Sequence, residues 1–158
     1  MYICFLNEDR SGGRLIEWIM EKLNAELHDK VKYSINSFKG LGHFSNPDQV
    51  KRHGKTGQLL NDLPMYLRGF SRSLSRTDGG AAIFVVLDAD DRDIGDMKRR
   101  LADIARENSD MPTVFCLAIE EMEAWLLGDA EAIRRAYPKA RLDLLDRYEN
   151  DSIIGTWE

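Results

Sequence analysis

At 158 residues the chain has room for one domain with a substantial core and not for two. With 43% hydrophobic and 31% charged residues it reads as an ordinary soluble globular composition. A net charge of −5 argues against a protein that coats nucleic acid by bulk charge, and its two cysteines, Cys4 and Cys116, lie inside apolar runs, as reduced core residues do rather than as a disulfide framework.

Tyr2 to Leu6 predicts a first short buried strand. The run stops at Asn7-Glu8-Asp9, too short for a signal peptide or a membrane span, so a cytoplasmic protein with no membrane partner is expected. Ser11 is a candidate N-cap for a helix from about Gly13 to Glu26, whose Leu15, Ile16, Ile19 and Leu23 keep helical spacing. Glu8 falls in the loop between the two. It is either a site acid or a carboxylate favoured near a helix N-terminus.

Val31 to Phe38 alternates apolar and polar residues and predicts a strand nearer the sheet edge. Lys39 to Gly57 is the longest irregular stretch, and loops of that length are often functional. Gly54-Lys55-Thr56 resembles a P-loop tail, but Gln49 stands where the first glycine belongs and no apolar strand leads in. Leu59 to Leu74 predicts a helix that Pro64 kinks or restarts. From Gln49 to Arg76 the charges are Lys51, Arg52, Lys55, Arg68, Arg72 and Arg76 against Asp62 alone. Arg68, Arg72 and Arg76 share one helix face, either a phosphate-facing stripe or an ordinary wetted surface.

The organising stretch follows the turn signal Asp78-Gly79-Gly80: Ala82 to Leu87 is continuously apolar and predicts a strand buried on both faces, as in a parallel sheet. It ends in Asp88 and Asp90, which project to one side if the strand continues that far. Ligands of open α/β sheets bind at that end, and two carboxylates held together call for a hard divalent cation. The alternative is a solvated acidic turn capping the next helix. Ile94 to Ala105 predicts that helix, and Thr113 to Ile119 a fourth strand.

The fourth strand runs into Glu120-Glu121-Met122-Glu123, where a helical wheel puts Met122, Trp125, Leu126 and Ile133 on the buried face. Three glutamates exceed what capping needs, and Glu120 lies closest to the strand's carboxyl end. Leu142, Leu144 and Leu145 fit a short helix, and Ser152 to Glu158 reads as a helix beginning. The alternation of strands and helices calls for an α/β fold: a mainly parallel four-stranded sheet with helices on both faces, over residues 1–136, with 137–158 as a C-terminal extension.

An acid after the first strand (Glu8), Asp88 and Asp90 after a later strand, and this element order resemble the three-layer, Rossmann-like Toprim fold of topoisomerases, primases and OLD-type nucleases. The segment Phe115 to Asp129 is similar to a Toprim-like bacterial family of unknown function, often encoded beside OLD-like ATPases. The resemblance implies Glu8 as the acid/base residue, Asp88 and Asp90 as ligands of Mg²⁺ or Mn²⁺, and Glu120 as an added acidic ligand. It implies metal-assisted phosphodiester cleavage, nucleic acid held by Lys51, Arg52, Lys55, Arg68 and Arg72, and an OLD-like ATPase subunit as partner. It also implies sequence running on past Glu158. Asp9 stands where Toprim proteins usually have glycine, and that departure favours the alternative of a catalytically inactive interaction module.

Overall fold

The four apolar runs form strands β1 (Tyr2–Asn7), β2 (Lys32–Ser37), β3 (Ala81–Asp88) and β4 (Thr113–Ala118). They pair side by side in the order β2-β1-β3-β4, every pair parallel. This is a computed structural model, and it describes residues 1–28, 30–44, 57–119, 121–139, 141–145, 147 and 149. The helices are α1 (Arg10–Leu27), α2 (Leu59–Leu74), α3 (Ile94–Asn108), α4 (Ala130–Ala136) and the short α5 (Leu142–Leu145), with a 3₁₀ helix at Met122–Gly128. The architecture is the expected three-layer, Rossmann-like α/β arrangement.

Strand alternation sorts the core into two halves. Cys4, Leu6, Ile83, Val85 and Leu87 point to one face, where Leu59, Leu63 and Leu67 of α2 and Met97 and Leu101 of α3 cover them. Ile3, Phe5 and Val86 point to the other, under Ile16 and Met20 of α1 and Met122 of the 3₁₀ helix. So α1, which connects β1 to β2, lies on one face, while α2 and α3, which lead to β3 and β4, lie on the opposite one. The winding direction therefore reverses at β1, and a crevice opens between the carboxyl ends of β1 and β3.

Three local expectations are corrected. The cap of α1 is Asp9, not Ser11: Asp9 Oδ1 accepts the Gly12 N–H at 2.8 Å, and the Ser11 hydroxyl donates to the other oxygen of that carboxylate at 2.5 Å. The reason is that β1 runs one residue further, to Asn7, and the helix starts at once. Pro64 lies inside α2, which runs unbroken from Leu59 to Leu74, so it does not restart the helix; its missing amide forgoes the bond back to Leu60. The segment from Met122 is a 3₁₀ helix rather than an α-helix. Met122 is buried, but Trp125 is 47% and Leu126 60% exposed.

The first turn of α1 presses closely on its neighbours. A β-carbon on Gly13 would stand 2.5 Å from Ser37 Oγ, and one on Gly12 would collide with the Met122 methyl. Among the described residues no helix is long and apolar enough to cross a membrane. Because Asp9 is the cap that starts α1 beside the crevice, Asp9→Ala should lose about 0.5–2 kcal/mol of stability in urea unfolding and Asp9→Asn much less. Equal losses would show that the cap bond does not set the helix start.

Candidate functional site

The in-register pairing of β1 with β3, Tyr2 with Ala81 through Asn7 with Val86, brings the segments after both strands to one edge of the sheet. Glu8 leaves β1 there, and Asp88 closes β3. The loop after β2 folds over them. Gly40 N–H donates to the Glu8 carbonyl at 3.0 Å, and Phe38 N–H to the Asn7 carbonyl at 3.0 Å. Gly40 and Gly42 take φ of 94° and 72°, and a side chain on Gly42 would run into Asn61 and Gln58. That fold-back aims the Leu41 backbone at the Glu8 carboxyl.

Asn7 is a positioning residue that the sequence reading passed over. It is fully buried, its Oδ1 accepts the Ser37 hydroxyl at 3.1 Å, and its amide nitrogen donates to the Asp9 carbonyl. It ties β1, β2 and the turn bearing Glu8 together. The signal was a lone polar residue ending an apolar strand.

Glu8 is the anomalous acid of the group. Its Oε2 is buried and, among the described residues, has no hydrogen-bond partner. Burial pushes its pKa up, and the Asp90 charge adds to that. The Asp88 and Leu41 backbone groups pull in the other direction, and Asp9 pushes slightly up. Asp88 projects to the α1 face of the sheet, as Val86 does two residues earlier, and its Oδ1 accepts the Met122 N–H at 3.0 Å. The carboxylate thus holds the start of the 3₁₀ helix against the sheet edge.

Asp90 departs from the expected geometry. The strand stops at Asp88, and Asp90 sits at φ 48° in a turn closed by the Arg92 N–H donating to the Ala89 carbonyl at 3.0 Å. Strand alternation therefore does not orient it. Aspartate tolerates the left-handed region better than most residues, and the Arg92 guanidinium holds its carboxylate at 2.5 Å.

Glu8, the end of β3 and Asp90 are thus brought together; Glu120, Lys51, Arg52, Lys55 and the segment 152–158 lie outside the described residues. Glu121, beside the Met122 amide in sequence, is buried. Arg68 and Arg72 are not brought to the centre. Both are exposed on the second half of α2, which runs back toward the start of β3: Arg68 donates to Asn108 at the end of α3, and Arg72 borders a hollow with Ala81 and Pro112. Helical spacing set their common face but not the sheet edge they reach. The guanidinium at the centre is that of Arg92.

Among the described residues no three His, Cys, Asp or Glu side chains gather closely enough to hold a metal ion. Mg²⁺, however, is commonly held by one or two carboxylates and completed by water and phosphate oxygens. A buried carboxylate oxygen without a partner, beside a second acid, fits such an ion or a proton. Fold and site together define a Rossmann-like α/β protein with an acidic switch-point crevice. No protein-family model, curated protein or solved structure matches the chain.

The raised pKa of Glu8 has a sign that stability measurements read. Its protonated form is favoured by folding, so that contribution is complete below the ordinary glutamate value and lost as pH rises through the raised one. In chelator at about pH 8, Glu8→Gln should melt at a higher temperature than the wild type, and the gap should close toward about pH 4. A wild type more stable than Glu8→Gln at the higher pH would mean that the ionised carboxylate already has a partner.

Proposed function

We propose that the chain is a Toprim-like phosphodiesterase that uses Mg²⁺ or Mn²⁺ and acts on nucleic acid. The observation that carries this reading is the buried Glu8 Oε2, without a hydrogen-bond partner among the described residues, beside the Asp88 backbone and the Asp90 charge at the switch-point end of the sheet. Asp88, Asp90 and Glu120 are the oxygen donors that would hold the cation, and hard carboxylate oxygens suit it. When bound, the ion would stabilise charge on the phosphoryl oxygens during an in-line displacement.

The chain's own groups take the remaining roles. As a water oxygen attacks phosphorus in line and the bond to the leaving oxygen breaks, Glu8, kept protonated to higher pH than an exposed glutamate, gives its proton to that oxygen and regains one from the attacking water. Asp88 is anchored through its Oδ1 by the Met122 amide, so its orientation is set in advance. Arg92 neutralises Asp90 and presents paired donors of the kind that grip phosphate. Asp9 is spent on the α1 cap, which accounts for an acid where Toprim proteins usually have glycine: here it is a helix start rather than a fourth site acid. Lys51, Arg52 and Lys55 steer the nucleic-acid backbone, and a cytoplasmic setting with an OLD-like ATPase subunit belongs to the same reading.

A second reading, an inactive interaction module for such an ATPase, is favoured by the exposed Trp18, Trp125 and Leu126, large apolar groups of the kind found at docking surfaces. Nicking of supercoiled DNA separates the two. With Mn²⁺ the wild type should nick, and Glu8→Gln and Asp88→Asn should each be slower by about 100-fold or more. Asp88→Asn keeps an acceptor for the Met122 amide, so a folded but inactive variant is expected. A wild type that cleaves neither supercoiled DNA nor single-stranded DNA or RNA with either cation leaves only the interaction module.

A further inference from the structure

Beside the acidic crevice lies a cleft of about 350 Å³ between the loop after β2 and the first half of α3. Phe44, Leu60 and Met97 supply the apolar part of its floor, and His43, Arg92 and Arg100 line it with polar groups. Arg92 is the residue that also holds Asp90, so the cleft opens directly from the proposed reactive centre. The Arg100 guanidinium lies 4.4 Å over the Phe44 ring. Arginine laid on an aromatic ring makes a flat, cationic surface of the type on which nucleobases stack.

Two acids also border the cleft, but both are engaged by the protein. Asp93 Oδ1 accepts the Asp96 N–H at 2.5 Å as the cap of α3. Asp96 pairs with Arg99 at 3.3 Å and with Arg100 at 3.9 Å. The cleft therefore offers a partly apolar floor, a stacking surface and an arginine shared with Asp90. Its volume is near the lower end of the ~300–1,000 Å³ typical of small-ligand pockets, a size suited to one nucleotide rather than to a duplex.

We propose that this cleft seats one nucleotide of the substrate strand, its base on the floor beside the Phe44–Arg100 pair and its phosphate at Arg92. The substrate is then single-stranded or locally splayed nucleic acid, because a base stacked in a duplex cannot enter. The inference rests on the phosphodiesterase reading for its substrate class, and its test needs no cleavage.

The test is fluorescence anisotropy in chelator with a labelled oligothymidine, single-stranded or annealed to oligoadenosine. The single strand should bind at least about tenfold more tightly than the duplex. Arg100→Gln and Phe44→Leu should each weaken single-strand binding by about tenfold and leave duplex binding unchanged. Arg106→Gln removes one exposed charge elsewhere on α3 and should change neither. Equal affinity for both probes, or single-strand binding unchanged in Arg100→Gln, overturns the proposal. So does an equal loss in Arg106→Gln, which would mean bulk charge. Should Phe44→Leu unfold, Arg100→Gln decides alone, since its side chain is 52% exposed. A chain that never cleaves yet discriminates in this way loses the phosphodiesterase reading and keeps the cleft; one that cleaves without discriminating loses only the cleft.

Discussion

The parallel, in-register pairing of β1 with β3 is the constraint on which the site depends. Because both strands run the same way and end together, acids that are 80 residues apart in sequence, Glu8 and Asp88, come to one sheet edge. Reversal of the winding at β1 sends α1 to one face and α2 to the other, so neither helix seals the crevice between the two strand ends. Like charges gathered in a partly buried crevice cannot all ionise without a compensating cation. The fold answers with an arginine on Asp90 and an amide on Asp88. Glu8 takes backbone hydrogen bonds from Asp88 and Leu41, but its buried Oε2 has no partner among the described residues.

That difference separates structural acids from the candidate reactive one. Asp9 and Asp93 look alike in sequence to the site acids, since each follows a strand end and precedes a helix. Their oxygens accept backbone amides of the first helical turn, and they are caps. Asp88 combines the two roles, closing β3 and anchoring Met122, the residue that packs α1 through its contact with Gly12. Through it the 3₁₀ helix is coupled to the site.

The four strands and the first three helices were legible because continuous apolar runs and 3.6-residue spacing reflect burial that any packing of this chain must satisfy. Even the edge position of β2 followed from its alternation of Val31, Tyr33 and Ile35 with polar residues. What spacing could not supply was the competition between neighbouring polar groups. Ser11 and Asp9 are both good caps, and the choice depended on β1 extending through Asn7. Met122, Trp125 and Leu126 suit an α-helical stripe, yet the segment winds as a 3₁₀ helix and leaves Trp125 and Leu126 exposed. The arginines of α2 share a face in sequence, but only the chain's return to β3 shows that the face leads away from the crevice. The cleft of Phe44, Leu60, Met97 and Arg100 joins two segments far apart in sequence, and no local pattern announces it.

The central claim is that the crevice between β1 and β3 is built to hold a divalent cation against Glu8. Anomalous diffraction from a Mn²⁺-soaked crystal tests it most directly. A manganese peak is expected about 2 Å from an oxygen of Asp88 or Asp90, the distance of direct coordination by carboxylate, with the Glu8 carboxyl beside the ion and outside its coordination sphere. A crevice without manganese, or manganese bound away from Asp88 and Asp90, would contradict it.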